Sequence, residues 1–214
     1  MILLLGNQKG GVGKSTLTIN LAIAFQQLGK TVHIVEADPS IRTSSRWADD
    51  REAAGLPPVV TTRKDGRLGA TLKELNSLYD IVLVDTAGKD SKELRSAMTV
   101  SDLMLIPTRT SQADLDGTFD LMELVNSVQD INEELIAKVV ITQAATHALS
   151  DDVQEAQRYL EDLAPTATIT STVIYHRKAY QSALSEGTSV VEGKDSKAKA
   201  EIQVLAQELI DTLY

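Results

Sequence analysis

A glycine-rich stretch near the start of the chain carries two lysines and two hydroxyl side chains, in the order Lys9, Gly10, Gly11, Val12, Gly13, Lys14, Ser15 and Thr16. An apolar run precedes it, and a helical pattern of apolar residues follows it. A glycine turn between a strand and a helix presents converging backbone N–H groups and the positive end of the helix dipole, which together bind phosphate. Lys14 adds an ammonium for the β- and γ-phosphates, and Ser15 adds a hydroxyl for Mg²⁺. The sequence therefore predicts a site for nucleotide phosphates.

This loop departs from the usual P-loop pattern at its first position. The pattern has a glycine where this chain has Gln8, and a second lysine, Lys9, comes directly afterwards. The alternative interpretation is an ordinary glycine turn with two solvated lysines. The context of strand, loop and helix favours the phosphate site.

Two carboxylates also follow apolar runs. Asp38 precedes a proline-fixed turn, where it can orient a water or hold the outer shell of a metal. Its alternative is to cap the next helix with Ser40, which like Ser150 is a predicted N-cap. Asp85 ends a run of four apolar residues, which predicts a carboxylate acting on Mg²⁺ directly or through water, and an N-cap is again the alternative. Gly88 permits a close approach of the backbone to a γ-phosphate.

Apolar runs alternate with helical patterns throughout, which predicts crossover units and a mainly parallel sheet in one α/β domain, residues 1–214. The predicted strands are 2–5, 32–35, 59–61, 81–84, 103–106, 139–142 and 168–174. The predicted helices are 14–29, 41–54, 69–78, 91–99, 114–128, 151–163, 177–186 and 196–213. Because ligands bind at the carboxyl ends of parallel strands, chemistry is expected at 7–16, 36–40, 85–90, 107–114 and 143–147.

The composition excludes several classes of protein. The chain has no cysteine, which rules out a disulfide framework or a thiolate metal site and fits a reducing cytosol. Its start is too short and uncharged for a signal peptide, and no apolar run approaches ~18 residues, so a cytoplasmic protein is expected. The formal net charge of −9 implies that any contact with DNA comes from a local basic patch.

At this point the motifs support a family resemblance. The segment from Lys9 to Thr16 resembles the deviant Walker A motif of the ParA/MinD ATPases, with Lys9 at the position of their signature lysine. Asp38-Pro39 resembles their switch I motif, and Asp85-Thr86-Ala87-Gly88 resembles their switch II motif. The likeness extends over nearly the whole chain, and it is greatest to the small partition ATPases of the ParF-like subgroup.

The resemblance implies a single-domain three-layer α/β/α sandwich of the P-loop NTPase type, with ATP and Mg²⁺ as cofactors. It also implies an ATP-dependent homodimer in which Lys9 reaches the phosphates bound by the other copy. A cation supplied in this way ties hydrolysis to assembly, as an arginine finger does. Within one copy, Lys14 and the loop backbone hold the phosphates, Ser15 ligates Mg²⁺ and Thr16 contacts the α-phosphate.

The resemblance assigns roles to residues outside the loop as well. Asp38 positions the attacking water close to the metal, and Asp85 supports the metal. Ile106-Pro107, with Asp114 and Gly117, is similar to the family's segment near the adenine and the dimer interface, which implies a nucleotide contact for Pro107. Gln143-Ala144-Ala145 follows a strand that in relatives often ends in Asn or Thr near an arginine. That arginine is missing here, which leaves the base contacts open.

The family divides by the surface on which its dimers act. Tyr175-His176-Arg177-Lys178 resembles the DNA-contacting segment, which implies binding of non-specific DNA by Arg177 and Lys178; a solvated helix start is the alternative. The MinD branch ends in a basic amphipathic helix, whereas the last helical pattern here carries acidic residues and no cationic cluster. No membrane partner is therefore expected.

The leading hypothesis is a weak, partner-stimulated ATPase of the ParA type that segregates a cargo by cycling on non-specific DNA. The cargo would be a plasmid, as in plasmid partition, a chromosome region or a protein organelle. A ParB-like or other small adaptor would stimulate hydrolysis, and the ATP-bound protein would associate with the nucleoid. The alternatives are a metabolic P-loop enzyme of the dethiobiotin-synthetase type, which would not need Lys9, and a MinD-like membrane-associated regulator.

Overall fold

The computed structural model describes residues 1–146, 151–163 and 165–213, which hold seven strands and eight α-helices. Residue 147 and Ser150, which the sequence analysis named, lie outside these ranges. The strands are β1 (Ile2–Leu5), β2 (Val32–Ala37), β3 (Val60–Arg63), β4 (Ile81–Thr86), β5 (Leu103–Thr108), β6 (Ile136–Ile141) and β7 (Thr168–Ile169). The helices are α1 (Lys14–Gln27), α2 (Thr43–Ala53), α3 (Gly69–Asn76), α4 (Lys92–Met98), α5 (Gln112–Gln129), α6 (Asp152–Leu160), α7 (Lys178–Ser185) and α8 (Ser196–Asp211).

The strands form one sheet in the order β3-β2-β4-β1-β5-β6-β7, and every described pair is parallel. The register aligns Leu5 at the end of β1 with Asp85 of β4 on one side and with Leu105 of β5 on the other. Because β1 is central, the loop that follows it lies between the segments that follow β4 and β5. This is the sheet edge at which the sequence analysis expected the chemistry.

Side chains alternate across the sheet and define two cores. Leu3 and Leu5 pack with apolar residues of α1, α2, α7 and α8 on one face. Ile2 and Leu4 pack with residues of α3, α4, α5 and α6 on the other face. Both faces are covered because strands buried on two sides need a helix layer on each. The structure confirms the predicted three-layer α/β/α sandwich.

The last predicted strand, 168–174, is wrong in its length, since β7 contains only Thr168–Ile169. The carboxylate of Glu208 in α8 interrupts the ladder. It accepts hydrogen bonds from the backbone N–H of Ser171, at 2.8 Å, and from the hydroxyl of Thr172, at 3.0 Å. These groups are therefore satisfied by a helix side chain instead of by a neighbouring strand.

The predicted N-cap at Ser40 is also wrong, because α2 begins three residues later. The Oδ1 atom of Asp38 accepts hydrogen bonds from the N–H groups of Ser40, at 2.8 Å, and Ile41, at 3.2 Å, which closes a turn before the helix. The first turn of α2 is held instead by Glu36, whose Oε1 accepts from the N–H of Ser44 at 2.8 Å. In the described part of the chain, no helix is long and apolar enough to span a membrane.

Candidate nucleotide-binding site

The glycine-rich loop leads from β1 into α1 through two left-handed residues. Gly11 has φ 72° and Gly13 has φ 98°, conformations that residues with a Cβ atom rarely adopt. Gly13 is the N-cap of α1, and its carbonyl accepts the first helical hydrogen bond, from Leu17, at 2.8 Å. The N–H groups in the first turn of a helix have no acceptor within the helix. The loop thus ends in a cluster of backbone donors that suits an anion.

The side chain of Lys14 lies inside the loop and connects its two ends. Its side chain is buried, and its Nζ donates a hydrogen bond to the carbonyl of Lys9 at 2.8 Å. Burial lowers the pKa of Lys14, while the charges of Asp85 and Asp38 oppose the shift. A phosphate oxygen bound in the loop would give the ammonium an anionic acceptor in place of the carbonyl.

Asp85 is a buried carboxylate at the end of β4. Its Oδ2 accepts a hydrogen bond from the Ser44 hydroxyl at 2.7 Å, whereas its Oδ1 is buried with no hydrogen-bond partner. Burial raises the pKa of Asp85 to about 6, against the hydrogen bond of Ser44 and the charge of Lys14, and the charge of Glu36 raises it further. A buried carboxylate oxygen without a hydrogen-bond partner is a candidate ligand for a bound ion.

The donors at this place fit a magnesium ion. Mg²⁺ prefers oxygen ligands and binds through one or two carboxylates together with substrate phosphates. The Oδ1 atom of Asp85 and the hydroxyl of Ser15 supply such oxygens beside the phosphate loop. Among the residues that the structure describes, no group of three or more acidic, histidine or cysteine side chains could hold a metal by itself. A magnesium ion held by Asp85 and Ser15 would share its remaining ligands with the nucleotide phosphates, as Mg²⁺ commonly does.

Asp38 lies at the same edge of the sheet and is partly exposed. Its charge opposes the lowering of the Lys14 pKa by burial. One of its carboxylate oxygens is engaged in the turn described above. The structure thus brings together the predicted switch I and switch II aspartates and the loop lysine.

The segment after β4 touches the phosphate loop through Gly88. The hydroxyl of Thr86 first ties β4 to β1 by donating to the carbonyl of Leu5 at 2.8 Å. A Cβ atom at Gly88 would lie 2.6 Å from the Cα of Gly10 and 2.8 Å from the carbonyl oxygen of Lys9. Only glycine permits this approach of the two backbones.

Gly88→Ala is expected to weaken nucleotide binding by about tenfold, because the added methyl must displace the loop backbone from the geometry that holds phosphate. Titration calorimetry with ATP and Mg²⁺ measures the effect. Gly193→Ala is the matched control, since a Cβ atom there meets its nearest neighbour at an ordinary 3.5 Å. An unchanged Kd in the Gly88 variant would show that the approach has no bearing on the phosphate site.

The backbone of Lys9 begins the phosphate loop, but its side chain lies outside that loop. Its side chain is exposed and packs over Gly117 of α5. A Cβ atom added at Gly117 would lie 2.4 Å from the Cε of Lys9. Although burial opposes the shift, hydrogen bonds from Ser111 and Arg109 lower the pKa of Asp114, and the charge of Lys9 adds to them. Lys9 has no ion pair within 4.0 Å among the described residues. The two loop lysines therefore occupy different environments.

Pro107, a predicted nucleotide contact, lies inside β5 and is buried. Its carbonyl accepts a hydrogen bond from the side-chain amide of Asn7 at 2.8 Å. The Oδ1 atom of Asn7 accepts in turn from the N–H of Lys9 at 2.9 Å. Pro107 thus supports the start of the loop through Asn7, a residue that the sequence analysis missed. The available signal was a polar residue two positions after a buried strand.

A cavity of about 170 Å³ opens beside the start of α1. Gly13 and Thr16 line it on the side of the phosphate loop. Most of the remaining wall comes from the segments after β6 and β7, including Gln143, Tyr175 and His176, and from α7, including Tyr180. Pro107 is not part of this wall. The cavity has the position and the aromatic lining that suit a base attached to phosphates in the loop.

Comparison with known proteins identifies the family of this chain. The family model for the CobQ/CobB/MinD/ParA nucleotide binding domain matches residues 3–190. The chain belongs to this family. It is 31% identical over 207 residues to Maintenance of carboxysome distribution protein A of Gloeobacter kilaueensis, with 95% of this chain and 91% of that protein covered. The resemblance to ParA/MinD proteins stated from the sequence is confirmed.

Solved structures share the fold. An ATP complex of a Cyanothece McdA variant matches with a TM-score of 0.78 and 19% identity, over 97% of this chain and 95% of that chain. The septum site-determining protein MinD of Pyrococcus horikoshii, complexed with Mg-ADP, matches with a TM-score of 0.75 and 19% identity, over 97% and 95%. At these identities the likeness shows the fold. ATP and magnesium, the cofactors predicted from the sequence, are among the ligands in these structures.

The two residues predicted to bind DNA, Arg177 and Lys178, lie in different environments. The guanidinium of Arg177 pairs with the carboxylate of Glu201 in α8, at 2.6 Å, and little of its side chain is exposed. The same carboxylate accepts from the hydroxyl of Tyr180 at 2.9 Å. A hydrogen bond from Arg177 to Glu201 raises the pKa of that guanidinium. Lys178, by contrast, is exposed, and no ion pair joins it to another described residue.

Proposed function

We propose that this member of the family is a ParA-type ATPase that binds ATP with Mg²⁺ and acts as an ATP-dependent homodimer. The proposal rests on one observation, which is that the side chains of the two loop lysines lie in different places. Lys14 is buried within the phosphate loop, whereas Lys9 lies outside it on the surface of α5. A lysine that begins the loop but points away from it is available to the phosphates bound by a second copy.

Each residue of the site has one task in this proposal. The loop N–H groups and the ammonium of Lys14 hold the phosphates, and Thr16 contacts the α-phosphate. Mg²⁺, held by Ser15 and Asp85, would neutralise charge on the phosphate oxygens. Asp38 orients the attacking water.

Lys9 from the other copy completes the site. Its ammonium stabilises the charge that develops on the transferred phosphoryl group. Hydrolysis then depends on dimer formation, because one copy alone lacks this cation. The base of the nucleotide would occupy the cavity beside Gly13 and Thr16.

We further propose that the dimer binds non-specific DNA through exposed basic side chains around the start of α7. Lys178 is the first residue of that helix. Arg42 and Arg46, both exposed, line a surface groove together with Gln181 of α7, so they extend the basic surface towards α2. Contacts between such cations and DNA phosphates are independent of sequence and weaken with salt. Dimerisation would double this surface and so couple DNA affinity to ATP.

Lys178→Glu is expected to lower the affinity for plasmid DNA by at least about tenfold at low salt, while ATP binding is unchanged. It is a cleaner test than Arg177→Glu, which would put a second carboxylate against Glu201. Fluorescence anisotropy with labelled duplex DNA measures the change. Lys73→Glu serves as the control, since Lys73 is an exposed lysine on α3, in the helix layer on the opposite face of the sheet. Equal DNA affinity of both variants would refute the proposed surface.

The wider role proposed is positioning of a cargo, namely a plasmid, a chromosome region or a protein organelle. The named relative that maintains carboxysome distribution supports a role of this class. A ParB-like or other small adaptor would stimulate hydrolysis, and the ATP-bound dimer would associate with the nucleoid. ATPase rates measured with and without plasmid DNA and adaptor test the proposal. Hydrolysis that neither DNA nor the adaptor stimulates, and that persists in a variant without Lys9, would point to a metabolic enzyme of the dethiobiotin-synthetase type.

A further inference from the structure

Two consecutive residues after β6 hold two consecutive carbonyls of the phosphate loop. The hydroxyl of Thr142 donates to the carbonyl of Val12 at 2.8 Å, and the side-chain amide of Gln143 donates to the carbonyl of Gly11 at 2.6 Å. The loop follows β1, and β5 lies between β1 and β6 in the sheet. The residues that follow β6 therefore bond directly to the phosphate loop, although β6 is not adjacent to β1.

The backbone of Gln143 is in a conformation that costs free energy. Its φ is 53°, and it is the one non-glycine residue with a positive φ in the described part of the chain. The next residue is fixed on both sides, because the N–H of Ala144 donates to the carbonyl of Ile174 at 3.1 Å and its carbonyl accepts from His176 at 2.8 Å. Strain that the surroundings maintain in this way is a feature of functional sites.

The two hydrogen bonds set the direction of the loop's donors. In a trans peptide the C=O and N–H bonds point in opposite directions. The carbonyls of Gly11 and Val12 point towards the end of β6, so the N–H groups of Val12 and Gly13 point away from it. N–H groups of a glycine-rich loop are the donors that cradle phosphate.

We propose that Gln143 is a positioning residue for the nucleotide phosphates, acting through the peptide between Gly11 and Val12. Its amide holds the Gly11 carbonyl outward, so that the Val12 N–H faces the anion before the nucleotide arrives. Preorganised donors bind without a cost of reorientation. The left-handed backbone is what turns the Gln143 side chain onto the loop. This inference rests on the proposed ATP site.

Gln143→Gly separates positioning from stability, because it deletes the amide and also relieves the left-handed strain. The Kd values for ATP with Mg²⁺ and for inorganic pyrophosphate are expected to rise by about fivefold to tenfold, the effect of one hydrogen bond. The melting temperature is expected to stay equal or to increase. A purely structural role predicts the reverse, namely a lowered melting temperature with unchanged Kd values.

Gln143→Asn provides a second, independent variant. Asparagine tolerates the left-handed region but its amide is one methylene shorter, so the bond to the Gly11 carbonyl is lost with the backbone retained. The same weakening of both ligands is expected. Unchanged Kd values in both variants would overturn the inference, and so would a loss confined to ATP, because it would make Gln143 a base contact. Failure of the unaltered protein to bind ATP would instead refute the proposed function.

Discussion

Lys9→Ala is expected to abolish ATP-driven dimerisation and to lower the rate of ATP hydrolysis by about a thousandfold, with the Kd for ATP nearly unchanged. The magnitude is that of a cation supplied in trans to a transferred phosphoryl group. ATP binding is expected to survive because Lys14 and the loop backbone hold the phosphates, whereas the Lys9 side chain packs on Gly117 of α5. Light scattering with and without ATP, together with a phosphate-release assay, measures both effects.

Lys73→Ala is the matched control for this experiment, since it removes an exposed lysine from α3. Its hydrolysis and dimerisation are expected to equal those of the unaltered protein. Hydrolysis retained by the Lys9 variant would refute a role in trans. A large loss of ATP affinity would mean that Lys9 turns back into its own loop.

Asp85→Asn is expected to make the nucleotide-free protein more stable at pH 7 and at the same time to remove Mg²⁺-dependent hydrolysis. The pKa of Asp85 is raised from 3.8 to about 6, first of all by burial. This difference of about two units corresponds to roughly 3 kcal/mol. The unpaired amide of asparagine would offset part of this, which leaves a net gain of about 1–2 kcal/mol.

The direction of the pH dependence follows from the raised pKa. Below the unfolded value of 3.8, Asp85 is protonated in both states and costs no stability. As the pH rises from there through about 6, the unfolded chain releases the proton more readily, so Asp85 progressively destabilises the folded protein. The difference in unfolding free energy between the variant and the unaltered protein should therefore grow across this window.

Urea unfolding of both proteins at a series of pH values, without nucleotide or Mg²⁺, measures this difference. Asp162→Asn, at an exposed carboxylate, is the control for the general effect of removing a negative charge. A stability difference that does not change between pH 4 and pH 7 would contradict the assigned cause. Hydrolysis retained by Asp85→Asn would remove Asp85 from the metal site.

The sequence by itself determined the features that depend on neighbours along the chain. The alternation of apolar runs with helical patterns located all seven described strands and the three-layer fold. The central strands β1, β4 and β5 are buried on both faces, which requires a continuous apolar stretch. The glycine-rich loop, Lys14 and Asp85 were equally visible, since the loop and Lys14 connect a strand to a helix and Asp85 ends an apolar run.

Only the tertiary structure decided which distant groups meet at the loop. The amide of Gln143 reaches a carbonyl 132 positions earlier, and Asn7 reaches one 100 positions later. No local periodicity records such pairs, because they depend on the order of strands in the sheet. The same reason explains why the ion pair between Arg177 and Glu201 was not foreseen. The sequence identified a phosphate loop with an unusual second lysine, and the packing of that lysine on Gly117 of α5 decided that it lies outside its own site.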